Sequence, residues 1–226
     1  MGDTEGTNGK ILEMARQEFL EKGFQDASLR TIVRKAGVTT GAFYRYYPTK
    51  EALFEALVKP HADQVISLLD QGIGQIQSMT PREQTDAMTQ VTADYMDRIL
   101  DYVYDHYDSF KLLICQAAGT VYENFLHELV EHEVKATYQY MEALKSMGHP
   151  VPSLDEGLCH MISSGLFSGM FEMVVHDMNQ EDARRRIIQL REFHTGGWER
   201  ILGVAFQKRE GNEEIPERSE AENPGS

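Results

Sequence analysis

Between Ser28 and Glu51 the chain sets hydroxyls, two guanidiniums and an ammonium at helical spacing on either side of a glycine turn: Ser28, Arg30, Gly37, Thr39, Thr40, Gly41, Ala42, Tyr44, Arg45, Tyr46 and Lys50. None forms a nucleophile–base pair, so these donors suit the holding of anions and the reading of base edges rather than bond making. Arg45 can make paired hydrogen bonds to a guanine or pair with a phosphate, and the methyl groups of Thr40 and Ala42 can meet a thymine methyl. The hydroxyls of Tyr44 and Tyr46 suit phosphate oxygens, contacts that fix register without reading sequence. Backbone N–H groups at the helix starts behind Ser28 and Thr49 offer further phosphate sites, and Lys50 and Arg30 add charge beside them. The small Gly41 and Ala42 let a helix backbone come close to the bases.

Three helices are needed to present these groups. The first is predicted over about 10–22, with Ile11, Leu12, Ala15, Phe19 and Leu20 on one face and Gly23 as a left-handed cap. Ser28 caps a second, whose Leu29, Ile32, Val33 and Ala36 keep the i, i+3, i+4, i+7 spacing. Gly37 supplies the turn, because glycine takes positive φ without strain. Thr39 caps a third helix of two turns that stops before Pro48, with Phe43 and Tyr47 facing inward. Two helices crossing at such a turn form a helix-turn-helix, which lays its second helix in a major groove.

The charge distribution agrees. The 226-residue chain carries a net charge of −14, which opposes DNA binding at first sight. Yet 24–50 holds five Lys/Arg against one acid, while from His61 onward there are 13 basic and 28 acidic residues. A basic segment on an acidic body orients that segment toward nucleic acid.

The remainder reads as helices without sheet, about nine in all. Thr49 caps a fourth helix, interrupted at Pro60. Thr80-Pro81-Arg82-Glu83, Thr120-Val121-Tyr122-Glu123 and Ser153-Leu154-Asp155-Glu156 read as capping boxes, and Asn179 caps a last helix over about 180–206. The domain organisation expected is 1–50 as a DNA-binding head, 51–206 as a helical body, and 207–226 as an acidic, disordered tail poor in apolar residues. No signal segment is evident, the most apolar run is too short to span a membrane and is broken by Glu172, and Cys115 and Cys159 read as reduced thiols; a soluble, cytoplasmic protein is expected.

Residues 36–53, Ala-Gly-Val-Thr-Thr-Gly-Ala-Phe-Tyr-Arg-Tyr-Tyr-Pro-Thr-Lys-Glu-Ala-Leu, resemble the signature of the TetR family of bacterial repressors, and Ala15 to Phe24 resembles its upstream Ala-x-x-x-Phe-x-x-x-Gly-Phe. The resemblance covers about 10–58. It implies that Tyr44, Tyr46 and Lys50 hold phosphates while Thr39, Thr40, Ala42 and Arg45 face the operator. It also implies an all-α homodimer whose C-terminal domain binds a small molecule that controls DNA affinity. Tyr47 departs from the commoner phenylalanine, and Pro60 from an unbroken fourth helix.

In the body, aromatic and sulfur-bearing residues are the expected lining of a ligand pocket: Tyr102, Phe110, Cys115, Tyr122, Phe125, Tyr138, Met141, Met161 and Phe167, with His160 and Glu172 as polar anchors. The small and polar stripe of Gly165, Ser168, Gly169, Glu172 and His176 is expected to form a dimer seam with Trp198 and Ile201. His127 and His132 lie five apart, about 140° around a helix, too far to share one metal easily, and Glu123, His127 and Glu131 read as a solvated face. No cofactor motif or zinc-type spacing occurs, and no paired carboxylates or nucleophile–base spacing suggests an enzyme. The expected partners are a palindromic double-stranded operator, an unidentified small effector and a second copy of the chain. A rival keeps the DNA-binding head but makes the body a platform for a protein partner; an enclosed apolar cavity discriminates the two.

Overall fold

A computed structural model describes residues 4–207. Among these are nine α-helices and one 3₁₀ turn, with no strand: α1 Thr4–Asp26, α2 Leu29–Lys35, α3 Thr40–Tyr46, α4 Lys50–Gln77, α5 Pro81–Asp105, α6 Tyr107–Cys115, the turn Val121–Asn124, α7 Phe125–Ser146, α8 Glu156–Val175 and α9 Gln180–Leu202. The all-α expectation holds. The tail expected over 207–226 lies, beyond Gln207, outside the described residues.

Side-chain caps place the starts of α2, α3 and α4. The Ser28 hydroxyl accepts from Thr31 N, Thr39 from Ala42 N and Thr49 from Ala52 N, each pairing a backbone donor that the first turn leaves open. Gly23 and Gly37 have φ of 73° and 68°, so both bends rest on the freedom of glycine. At α5 the capping box closes as expected between Thr80 and Glu83.

Four expectations are corrected. Pro60 does not interrupt α4, which runs unbroken through it. Proline removes one hydrogen bond, whereas Leu57, Val58, Ala62 and Val65 bury on both sides of it and hold the helix in register. Thr120 does cap, but its hydroxyl meets Tyr122 N and the Glu123 carboxylate accepts from Gly119 N, so a 3₁₀ turn forms before α7. Asp155, not Ser153, caps α8 through Leu158 N. The last helix stops at Leu202, because Gly203 takes the left-handed conformation.

One continuous core joins all of this. Phe19, Phe24 and Phe54 pack edge to face, linking α1 to α4, while α4 lies along α5 and α7 along α8. The 20 residues of α8 are long and apolar enough to cross a membrane by length and composition. Its Cys159, Phe167, Met170, Phe171 and Val174 are instead buried against α6, α7 and α9, as in a core helix.

Candidate nucleic-acid interface and body cavity

The expected recognition helix is braced from beneath. Phe43 is fully buried and Tyr47 nearly so, its hydroxyl donating to Asn8 Oδ1 at 2.9 Å. That leaves Thr40, Gly41, Tyr44 and Arg45 exposed along one side of α3, with Ala42 and Tyr46 half-buried at its margins. Tyr44 is 51% exposed, and a Cβ at Gly41 would meet nothing within 4 Å. Thr39 is exposed at the start of α3, Arg30 and Arg34 are exposed on α2, and Ser28 is half-buried at its cap. The side of the head carrying these groups is rich in donors and poor in carboxylates, the pattern that meets a phosphate backbone.

Two lysines of the head are engaged by neighbouring groups. The Lys50 ammonium donates to Gln25 O at 2.9 Å and Ala27 O at 3.3 Å and sits 4.7 Å from the centre of the Phe24 ring. It therefore clamps the end of α1 to the start of α4, and any phosphate contact would use its remaining donor. Lys35 pairs with Glu18, a carboxylate only 5% exposed that also accepts from Ser28 N at 3.3 Å. Glu18 was not among the sequence candidates; it lies seven residues after Ile11, on the buried side of α1, but a glutamate there gives no sign of the Ser28 and Lys35 partners that hold it.

The head is tied to the body through α6 as well as α4. Phe24 N donates to Gln116 O at 3.0 Å, and Arg16 donates to Ser109 Oγ at 3.2 Å. Beside this joint His61 Nδ1 meets Tyr102 OH at 2.9 Å, with the His106 ring 4.5 Å from that of His61. Burial, then the neighbouring His106 and Arg16, push the His61 pKa down.

The body holds a cavity of about 400 Å³ between α4, α5, α7, α8 and α9, within the range of small-molecule sites. Ile73, Ile76, Met88, Met96, Leu166, Trp198 and Leu202 supply its apolar wall; Gln77, Gln84, Thr92, Thr137, Glu133 and Arg191 supply polar groups. At its edge Gly72 lets the Tyr95 ring pack directly against α4: a Cβ there would lie 2.4 Å from Tyr95 Cδ1. Glu133 is half-buried at the cavity wall, and burial pushes its pKa up to about 7. Tyr95, also lining the cavity, is held well above its ordinary value by burial and then by the charge of Glu133.

None of the residues expected to line a ligand pocket lines this cavity. Phe110, Phe125 and Phe167 are core, with Phe125 packed edge-on against Phe171. Tyr102 is engaged with His61, Tyr138 donates to Leu154 O, and Met141 belongs to a small cluster with Tyr140, Leu144 and Leu202. Tyr122 stands in the 3₁₀ turn near Glu55, its pKa raised to about 12 by burial first. Cys115 ends α6, half-buried, and Met161 is 71% exposed. His160 faces His127 rather than the cavity, and the exposed Glu172 pairs with His176. Aromatic content marks where a helix can bury, not where packing leaves space.

The expected seam divides. Gly165, Ser168, Glu172 and His176 are exposed on α8, near outward-facing Met161, Val175 and, on α9, Phe193 at 76% exposure. Gly169 instead receives Leu190 of α9, 3.0 Å from where a Cβ would stand. Trp198 lines the cavity, and Ile201 packs against the small cluster.

Comparison with known proteins matches residues 11–57 to the family model "Bacterial regulatory proteins, tetR family". YdgC of Bacillus subtilis, an uncharacterised HTH-type transcriptional regulator, is 39% identical over 61 residues, 27% of this chain and 31% of the relative. UidR of Escherichia coli K12, an HTH-type transcriptional regulator, is 34% identical over 56 residues, 25% and 29% of the two chains. These matches span about a third of the curated relatives. Solved structures extend the likeness over the body. A transcriptional regulator (TerR/AcrR family) from Aquifex aeolicus superposes with a TM-score of 0.55 at 17% identity, covering 83% of this chain and 96% of the other. The regulator FadR from Bacillus subtilis in complex with stearoyl-CoA gives 0.53 at 15% identity, covering 84% and 98%. These similar proteins are transcriptional regulators rather than enzymes. Residues 11–57 of this chain thus resemble the DNA-binding segment of the TetR family of bacterial regulatory proteins, and the chain shares the all-helical fold of these solved structures over most of its length.

Proposed function

We propose that this protein is a ligand-responsive transcriptional repressor that binds a palindromic operator as a homodimer in the cytoplasm. Residues 1–50 act as the head and 51–206 as the body. Each subunit lays α3 in a major groove, the two grooves about 34–36 Å apart. Thr39, Thr40, Gly41, Ala42 and Arg45 face base edges; Ser28, Arg30, Tyr44, Tyr46 and Lys50 meet the backbone. The observation carrying the regulatory half is the cavity: α4 lines it at Gly72, Ile73, Ile76 and Gln77 and begins, at Lys50, inside the head. A molecule there can bias the separation of two heads by as much as its affinity differs between the two arrangements. The mixed wall suits an effector with an apolar part against Ile73, Ile76, Met88 and Trp198 and a polar end that meets Glu133, Arg191 or Thr137.

The second copy sits against the exposed stripe of α8 and α9, where Gly165, Ser168 and Gly197 permit close approach and Met161, Val175 and Phe193 supply apolar surface. The rival reading, a body that docks a protein partner, requires no internal cavity.

Operator fragments selected from random DNA with the full-length protein, followed by a metabolite panel screened for release, test the proposal. Thr137→Trp, which fills the cavity, is expected to abolish release while leaving operator affinity within about twofold. Release that survives cavity filling would place the effector elsewhere.

A further inference from the structure

We propose that His127, Glu131 and His160 form a binding site for a divalent first-row transition ion of the zinc type, clamping α7 to α8. His127 and Glu131 share one face of α7 at i, i+4, with Nε2 3.8 Å from Glu131 Oε1. The hairpin partner α8 brings His160 between them: its Nε2 is 3.2 Å from His127 Nδ1 and 3.6 Å from Glu131 Oε1. One ligand atom from each of the three residues can be gathered within 4.8 Å. Ligands at about 2.0–2.1 Å from a tetrahedral ion stand about 3.3–3.4 Å apart. Two of the existing separations are therefore close to the edges of such a polyhedron before any side chain moves.

The donor chemistry selects the ion. Two imidazoles and one carboxylate favour zinc, copper, nickel or cobalt over magnesium or calcium, which take oxygen ligands. Three protein ligands leave a fourth position for water, the arrangement of an open site. The His160 ring also has an outer partner: Ser164 Oγ lies 3.3 Å from its Nδ1, leaving Nε2 toward the cluster. His132 takes no part, because its Nδ1 is 2.6 Å from Asp70 Oδ1 on α4. The sequence spacing that separates His127 from His132 thus does not exclude a site; the missing ligand comes from the next helix. Both helices also wall the cavity, through Glu133, Ala136, Thr137 and Tyr140 on α7 and Leu166 on α8, so a bound ion fixes two of its sides relative to each other.

The test uses tag-free, full-length protein titrated with Zn²⁺ against a chromogenic chelator, with Co²⁺ absorption as a second readout. One ion per subunit is expected. His160→Ala and Glu131→Gln should each weaken binding at least tenfold, while His132→Ala leaves it unchanged. All these positions lie on the surface or its margin, and matching apo melting curves establish that the variants fold. Unchanged binding in His160→Ala would overturn the assignment. So would failure of the wild type to bind, or a thiolate-to-Co²⁺ charge-transfer band pointing to Cys115 or Cys159.

Discussion

Glu133→Gln should stabilise the protein at neutral and alkaline pH and do little in acid. An ordinary glutamate here would titrate near 4.5; the Glu133 carboxyl, enclosed beside the cavity, titrates near about 7. As pH rises from 4.5 the unfolded chain releases this proton while the folded chain keeps it. Stability from this group therefore declines through the window between 4.5 and about 7 and levels off above it. At about 1.4 kcal/mol per tenfold, the full gap is worth about 3 kcal/mol, an upper bound because the carboxyl retains some accessible surface. Glutamine keeps the shape and loses the titration. For a chain of this size about 1 kcal/mol moves the melting temperature by roughly 2–4 °C, so the variant should melt up to about 5–10 °C above wild type at pH 8 and about level with it at pH 4.5. Other titrating groups are common to both proteins, so the difference between their melting curves across pH isolates Glu133. A difference that does not vary with pH, or that shrinks as pH rises, would refute the reasoning.

Gly72→Ala should push the Tyr95 ring away from α4 and cost about 1–3 kcal/mol in urea denaturation; an unchanged midpoint would mean that Tyr95 yields freely. Arg45→Ala should relax operator preference at one position without altering thermal stability, measured by competition between operator variants. Lys50→Ala, by contrast, should lower both the melting temperature and the affinity for all DNA, because its ammonium holds Gln25 O and Ala27 O. Phe193→Glu should halve the mass seen by light scattering if α8 and α9 form the seam, and a mass that stays put would move the seam elsewhere.

Much of the head was legible because its constraints are local. Ser28, Thr39 and Thr49 cap the helices they precede, Gly37 turns between two of them, and Phe43 faces inward at the expected register. The exceptions are long-range: the buried Glu18 and the engaged Lys50 each depend on a partner seventeen or more residues away. In the body the locations of most helices were readable, but the cavity was not. It is defined by what neighbouring helices fail to fill and is lined by threonines and glutamines that look like surface residues. Phe110, Phe125 and Phe167 carried the stronger signal and form the solid part of the core. Similarly His127 and Glu131 looked like a solvated face until His160 arrived from another helix.

The unbroken passage of α4 through Pro60 has a mechanical consequence. At 1.5 Å per residue, the stretch from Lys50 to Gly72 is a rod of about 33 Å, packed near its middle against α6, where the His61 ring lies 6.2 Å from that of Phe110. A stiff rod on a pivot converts angle into distance. A tilt of about 5° along that length displaces one end by about 3 Å relative to the other, close to the roughly 3.4 Å rise of a single base step. A broken helix would absorb such a tilt at the break. The cavity therefore need not change much in volume: an occupant that leans one wall by a few degrees would put a paired reading head out of step with its groove.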